Sequence, residues 1–274
     1  MKRILSMALM CALAGNLFAQ TLIKETREVP DFSGLDASGV FVIELKKGPT
    51  SSVVIEAESK YMEYIKTEVR SGVLRIYGRW PESMRINNNA NLKATITVSE
   101  LNSLALSGVC SLTTTNLFTP SRFHLDLSGV SKVSGLRIEA DEANMDISGA
   151  SKINLSGSIK QGKIDLSGAS HAECNLRLDQ LSVDVSGTSK LELQGQANKV
   201  KMDISGVSSV TAASFPIKEL DFSASGVGKA DVQVIDVLSV RLSGTSRLNY
   251  KGKPRVDELK VSSGSSVNGQ KGRD

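Results

Sequence analysis

Apolar and polar residues alternate in short runs that recur along most of the chain. Around a repeated Ser-Gly pair, apolar side chains stand two and four residues before the glycine and again four and six residues after it. Polar residues separate them, and a period of two is typical of β-strands with one buried face. The glycines of the eight clearest repeats are Gly108, Gly129, Gly149, Gly168, Gly187, Gly206, Gly226 and Gly244.

The spacing between these glycines indicates the fold class. Successive glycines are 21, 20, 19, 19, 19, 20 and 18 residues apart, and such a fixed period is typical of a solenoid. No segment has the length and period of a crossover helix, which excludes a βαβ arrangement. The sequence predicts an all-β protein, a right-handed parallel β-helix with 19–20 residues in each coil.

A third apolar position completes each coil. We number positions within a coil from the glycine, taken as zero, and this third position falls at +9 or +10. Three buried segments separated by turns predict a coil with three sides. The side chains expected to point inward at the third position are Ile138, Ile159, Leu178, Phe215 and Ile235.

The pattern extends beyond the clear repeats. Gly39 fits the zero position, weaker coils fit around Ser59 and Gly78, and Ser263 takes the place of the glycine near the C-terminus. We therefore expect about twelve coils stacked in chain order. At a strand spacing of ~4.8 Å, the solenoid would be ~55–60 Å long.

Four segments organise the chain in this interpretation. Residues 1–19 have two basic residues before an apolar run, which predicts a signal peptide. Residues 20–100 are expected to form an N-terminal cap and irregular coils with an inserted loop at 81–91, or else a separate small β domain. Residues 101–269 are the regular β-helix, and residues 270–274 are expected to be a disordered tail.

Charge and cysteine content narrow the possible partners. The full chain has a formal net charge of +4, with acidic and basic residues scattered evenly, which argues against nucleic acid. After the signal peptide, no run approaches the ~20 apolar residues of a transmembrane helix. Cys110 and Cys174 belong to repeats three apart, so ~14 Å would separate them. Because a disulfide needs Cα atoms within about 7 Å, both are interpreted as core residues.

One outward position is acidic in five consecutive coils. Stacked carboxylates repel one another unless they are compensated, and the basic residues at +3, across the corner, are expected to neutralise them or to remain solvated beside them. Calcium, which takes several carboxylate oxygens, is the only cofactor that the pattern suggests. The residues at this −3 position, here called the aspartate column, are Asp126, Asp146, Asp165, Asp184 and Asp203.

Most of the exposed aromatic side chains are predicted beside the inserted loop. They are interpreted either as a ligand or partner surface or as an aromatic cap on an irregular coil. With the asparagines of the loop, this candidate surface consists of Tyr61, Tyr64, Tyr77, Trp80, Asn87, Asn88 and Asn89.

Candidate catalytic residues are scarce. The two histidines, His124 and His171, lie on outward positions, and every serine near them occupies a position that the repeat fills with serine anyway. A G-x-S-x-G motif, a phosphate-binding loop and Cys/His metal spacings are all missing from the sequence. The sequence therefore predicts no catalytic, cofactor-binding or metal-binding residue and no enzyme.

The serial S-G-x-S coils over residues 29–269 resemble the head GIN domain family, described as auto-transporter adhesin heads. The motif is a structural repeat, so the resemblance implies an exported adhesin but brings no site residues. We expect a non-enzymatic protein of the periplasm or cell surface, an adhesin head or envelope scaffold that binds an envelope or host-surface protein or glycan. The alternatives are a polysaccharide-acting β-helix enzyme and a self-assembling fibre subunit.

Overall fold

The computed structural model describes residues 22–84, 86 and 90–270. The signal peptide predicted at 1–19 lies outside the described residues, as does all but the first residue of the segment 270–274. Twenty β-strands of the described residues belong to one continuous sheet.

Short connections join most of the elements, and the only helix among the described residues is a single turn. They are β1 Leu22–Arg27, β2 Gly34–Gly39, β3 Phe41–Lys47, β4 Ser52–Glu58, α1 Ser59–Met62, β5 Ile65–Arg70, β6 Val73–Gly78, β7 Leu92–Val98, β8 Ser103–Gly108, β9 Ser111–Thr113, β10 Leu117–Phe118, β11 Arg122–Leu127, β12 Lys132–Ile147, β13 Lys152–Leu166, β14 His171–Val185, β15 Lys190–Ile204, β16 Ser209–Ala224, β17 Lys229–Leu242, β18 Arg247–Lys251, β19 Arg255–Val261 and β20 Ser266–Gln270.

The regular part is a parallel β-solenoid, as predicted. Strands β12 to β17 each run through most of one coil and pair in parallel with the strands of the coils before and after. Leu166 lies directly beside Val185, so equivalent positions of successive coils are lateral neighbours in the sheet. Each position of the repeat therefore forms a column along the solenoid.

The core is a stack of apolar columns inside the coils. Positions −4 and −2 of the Gly108 to Gly244 coils point inward and are buried, as are +4 and +6 wherever these carry an apolar side chain in β13 to β17. This burial is continuous from Phe32 in the N-terminal part to Leu248 near the C-terminus. At the third apolar position Ile138, Ile159 and Phe215 are buried as predicted.

Ile235 contradicts the prediction for the third position. Its side chain is 48% exposed, whereas the neighbouring Val234 is fully buried. This coil is two residues shorter than the coil before it, and two register shifts between β16 and β17 place Val234 beside the buried Ile217. The alternation is thereby displaced by one residue, which exchanges the inward and outward side chains.

The corner at the repeated glycine is closed by the backbone of the preceding coil. Gly206 has φ +70°, and the N–H of the next residue, Val207, donates a 2.8 Å hydrogen bond to the Gly187 carbonyl oxygen. A Cβ atom on Gly206 would lie only 2.5 Å from that oxygen. The Ser208 hydroxyl points inward, is buried, and donates to the same oxygen at 3.3 Å. The stacking of corners therefore requires glycine at this position and favours a small inward side chain two residues later.

The N-terminal coils do not stack in chain order. Strand β2 lies between β6 and β8, and β3 lies between β7 and β9. The Gly108 coil rests directly on the Gly39 coil, with a 2.7 Å hydrogen bond from the Val109 N–H to the Gly39 carbonyl oxygen. The layer on the other side of Gly39 comes from the later strands β6 and β7.

The expectation of about twelve coils is wrong, and the solenoid has about nine turns. The predicted coil around Ser59 does not exist, because Ser59 begins the single-turn helix α1. Strand β4 runs antiparallel to β7 and β1, and β5 runs antiparallel to β6. These reversed strands end the sheet on the N-terminal side in place of further coils.

Both described cysteines are buried and free, as interpreted from the sequence. Cys110 occupies the inward +2 position that serine holds in most later coils, and its sulfur lies 3.7 Å from the Gly39 carbonyl oxygen. Burial raises the pKa of the Cys174 thiol to about 12. Among the described residues, no helix is long and apolar enough to cross a membrane.

Candidate functional site

The residues of the aspartate column are lateral neighbours on one face of the solenoid, here called the aspartate face. Asp146 pairs laterally with Asp165, Asp165 with Asp184, and Asp184 with Asp203. The −1 serines of the same coils lie beside the carboxylates, next to the corner. The parallel sheet thus displays carboxylates and hydroxyls at the regular spacing of its strands, ~4.8 Å.

Partial burial and the neighbouring carboxylates raise the pKa of two aspartates in the column. Partial burial raises the pKa of Asp146, and the adjacent Asp165 carboxylate raises it further. Partial burial also raises the pKa of Asp184, with added repulsion from Asp165 and Asp203. A cationic partner placed over the column would relieve this repulsion.

Two lysines on the same face compensate part of the charge. Lys163 Nζ lies 2.7 Å from Asp165 Oδ2, and Lys201 Nζ lies 3.6 Å from Asp203 Oδ2. Both lysines stand at −5, two residues before an aspartate on the same strand. The hydrogen bond to Asp165 raises the pKa of the Lys163 ammonium.

The basic residues at +3 do not neutralise the aspartate column, contrary to one of the two expectations from the sequence. Most of them pair with acids at +5 on their own side of the corner. Lys190 Nζ lies 2.6 Å from Glu192 Oε1, and Lys152 Nζ lies 2.8 Å from Glu173 Oε1. Residues two apart on a strand share a face, so these pairs form without crossing the corner.

The −3 column changes sign towards the C-terminus. Beyond Asp203 it continues with Ser223, Arg241 and Lys260, which are lateral neighbours in successive coils. Arg241 bridges two acids, with Nη1 2.7 Å from Asp221 Oδ1 and Nη2 2.9 Å from Glu258 Oε2. This basic end was not predicted from the sequence. Arg241 and Lys260 nevertheless occupy the −3 position of their coils, three residues before Gly244 and Ser263 respectively.

A groove lies where the acidic and basic parts of the column meet. It has a volume of about 440 Å³ and is lined by Asp184 and Asp203 on one side and by Arg241 and Lys260 on the other. Four −1 serines line the same groove: Ser186, Ser205, Ser225 and Ser243. A ligand there would meet carboxylates, hydroxyls and cations within a few coils.

The predicted aromatic surface is only partly assembled. The Trp80 ring contacts Tyr61 edge-on at 6.0 Å and Tyr64 at 6.2 Å between ring centroids. Tyr61 and Trp80 are half-buried and pack against the core. Tyr77 makes its own contact, a 3.2 Å hydrogen bond from its hydroxyl to Glu68.

The packing of these rings accords with an aromatic cap at the N-terminal end of the core. The three loop asparagines of the predicted surface, Asn87, Asn88 and Asn89, lie outside the described residues. The ligand-binding interpretation of this surface stays a prediction.

The two histidines lie on different outward columns of the described surface. Within residues 22–84, 86 and 90–270, no three His, Cys, Asp or Glu side chains converge in a way that could hold a metal ion. His171 Nε2 lies 3.2 Å from Glu192 Oε1 among the +3 and +5 columns. His124 stands at −5 on the aspartate face, beside Asn144.

Known structures share this architecture. A protein of Parabacteroides merdae described as a putative adhesin is 16% identical with a TM-score of 0.70, over 92% of this chain and 97% of that one. A putative adhesin of Parabacteroides distasonis is 18% identical with a TM-score of 0.72, over 92% and 98%. A putative lipid binding protein of the same species is 18% identical with a TM-score of 0.64, over 92% and 98%. At these identities the likeness shows the fold alone.

Sequence-level comparison identifies the family. The chain matches none of the curated proteins. A family model described as "Putative auto-transporter adhesin, head GIN domain" matches residues 31–175 and 166–254. Since these two matches cover most of the chain, the protein belongs to the head GIN domain family.

Proposed function

We propose that the protein is an exported, non-enzymatic, adhesin-like module that binds an envelope or host-surface protein or glycan along the aspartate face. The observation that carries this proposal is the −3 column, where stacked carboxylates give way to Arg241 and Lys260 beside a row of serines. The family description agrees with such a role.

The repetition of the surface favours binding over catalysis. Each outward group of the aspartate column has equivalents one coil away, so the protein presents an extended surface rather than a single reacting centre. The groove at the acid–base boundary is open to solvent along one side of the sheet. An extended polymer or a flat protein surface fits such a site better than a small substrate does.

A binding experiment with matched charge variants tests the proposal. The immobilised chain, without its predicted signal segment, is offered an envelope protein fraction and a panel of envelope polysaccharides. The Asp165→Asn/Asp184→Asn variant should lose most of the binding. The variant Asp141→Asn/Asp179→Asn changes the same charge at +12 and +11, away from the aspartate column, and should keep it.

Two results would overturn the proposal. Equal loss of binding in both double variants would show that net charge matters rather than the aspartate face. Release of soluble fragments from a polysaccharide, abolished in the Asp165→Asn/Asp184→Asn variant, would establish an enzyme instead.

A second candidate function, lipid binding, is favoured by one observation. The residues at +1 form a ridge along the corner, and Val130, Val207 and Val227 on this ridge are 56%, 61% and 54% exposed. One structural neighbour is described as a putative lipid binding protein. Flotation with phosphatidylethanolamine vesicles, lost in Val207→Ser/Val227→Ser, would support this candidate, and failure of the wild-type chain to float would remove it.

A further inference from the structure

The apolar core is covered at the N-terminal end of the solenoid and exposed at its C-terminal end. At the N-terminal end the core is closed, since Met62 and Ile65 are buried and Trp80 packs over the same region. At the C-terminal end the apolar side chains of the last coil are open to solvent. Leu259 is 58% exposed and Val261 is 40% exposed.

These exposed side chains occupy core columns. Leu259 is the lateral neighbour of Val240, and Val261 is the lateral neighbour of Leu242. Both neighbours in the preceding coil are buried. Leu259 and Val261 therefore point along the core and are exposed only because no further layer of the described chain covers them.

The backbone at this end is open as well. In the described chain β19 pairs only with β17, and β20 pairs only with β18. Both strands thus present a row of unpaired N–H and C=O groups beside the exposed apolar side chains. Open edges of this kind pair readily with another strand.

We propose that this C-terminal end docks against the same end of a second copy of the chain, giving a two-fold symmetric dimer with a continuous sheet. The N-terminal end carries a closed core and reversed strands, so it offers no matching layer for head-to-tail stacking. Identical open ends match each other through a two-fold axis, which closes the assembly at two copies.

The charges of β19 fit this pairing. If β19 lies antiparallel to β19 of the second copy with the axis at Leu259, the two Leu259 side chains face each other. Glu258 then lies opposite Lys260 of the second copy, and Lys260 lies opposite Glu258 of the second copy. Opposite charges directly across a strand pair are stabilising. Within one chain Lys260 Nζ is 2.7 Å from Glu258 Oε1 and is largely exposed, so it is free to turn towards a second copy.

Sedimentation equilibrium of the chain without its signal segment tests the dimer. The wild-type chain should associate into dimers and no larger species, and Leu259→Asp should weaken association at least about tenfold. Leu22→Asp is the matched control, because Leu22 is 49% exposed on β1 at the opposite end. Its association should equal that of the wild type. Both residues are exposed in the single chain, so the melting temperature of dilute samples should stay unchanged.

A charge-exchange experiment distinguishes specific pairing of β19 from nonspecific association of the exposed end. Lys260→Glu places like charges opposite each other and should weaken the dimer, whereas the double variant Lys260→Glu/Glu258→Lys restores opposite charges and should recover it. A wild-type chain that stays monomeric at every concentration overturns the proposal. So does a Leu22→Asp variant that dissociates as Leu259→Asp does, or growth into long fibres.

Discussion

Replacing Gly206 with alanine places a methyl group where the preceding coil leaves no room. The new Cβ would lie 2.5 Å from the Gly187 carbonyl oxygen and 3.0 Å from its nitrogen, and neither backbone atom can rotate away. The φ of +70° at Gly206 costs a residue with a side chain about 1–2 kcal/mol. Moving the corner outward also weakens the 2.8 Å hydrogen bond from the Val207 N–H, which contributes about 1 kcal/mol. We expect Gly206→Ala to lower the free energy of unfolding by about 2–4 kcal/mol.

Gly72 provides the control for this variant. It has φ +74°, but a Cβ atom added there would meet nothing within 4 Å beyond its own chain neighbours. Gly72→Ala therefore adds only the conformational cost of about 1–2 kcal/mol. Thermal unfolding followed by circular dichroism measures both, since 1 kcal/mol shifts the melting temperature by about 2–4 °C in a chain of this size. Equal shifts for the two variants would refute the role assigned to corner stacking.

Three further predictions concern charge, burial and register. The pKa of Asp184 is raised in the folded protein, so its contribution to stability is fully present below the ordinary Asp pKa of about 3.9 and is lost as the pH rises through the folded value. Asp184→Asn should therefore raise the melting temperature at pH 7 but not below about pH 3; a gain independent of pH would contradict this. The Cys174 thiol, with a pKa raised to about 12 by burial, should resist iodoacetamide at pH 8 until denaturant is added, and equal labelling in both conditions would disprove its burial. Val234→Asp should destabilise the fold by about 3 kcal/mol or more, whereas Ile235→Asp should have almost no effect. A larger destabilisation by Ile235→Asp than by Val234→Asp would show that Ile235 points inward, as predicted from the sequence.

The regular coils were predictable because their determinants are local. Alternation around each glycine decides which residues point inward, and a constant period then places Leu166 beside Val185 without any long-range information. The aspartate column followed from the same two facts. Ile235 was misplaced because the prediction kept a fixed offset from the glycine in a coil that is two residues shorter than the one before it.

The N-terminal stacking order could not be read from the sequence. Apolar alternation has the same period in parallel and antiparallel strands, so nothing in β4 or β5 showed that these strands reverse. The ion-pair partners of the basic residues at +3 could have been predicted from the sequence. Lys190 and Glu192 stand two apart on one strand and must share a face, whereas the prediction sought their partners across the corner.

The strands inserted between β3 and β8 affect the order in which the coils of the solenoid can form. The coil at Gly39 receives one neighbour from β6 and β7 and the other from β8 and β9, all synthesised after it. Regular coils need only segments about 19 residues apart, whereas Cys110 and Gly39 are separated by 71 residues, and distant contacts form more slowly than near ones. We therefore expect the N-terminal end to be completed late, after local coil pairing has begun downstream.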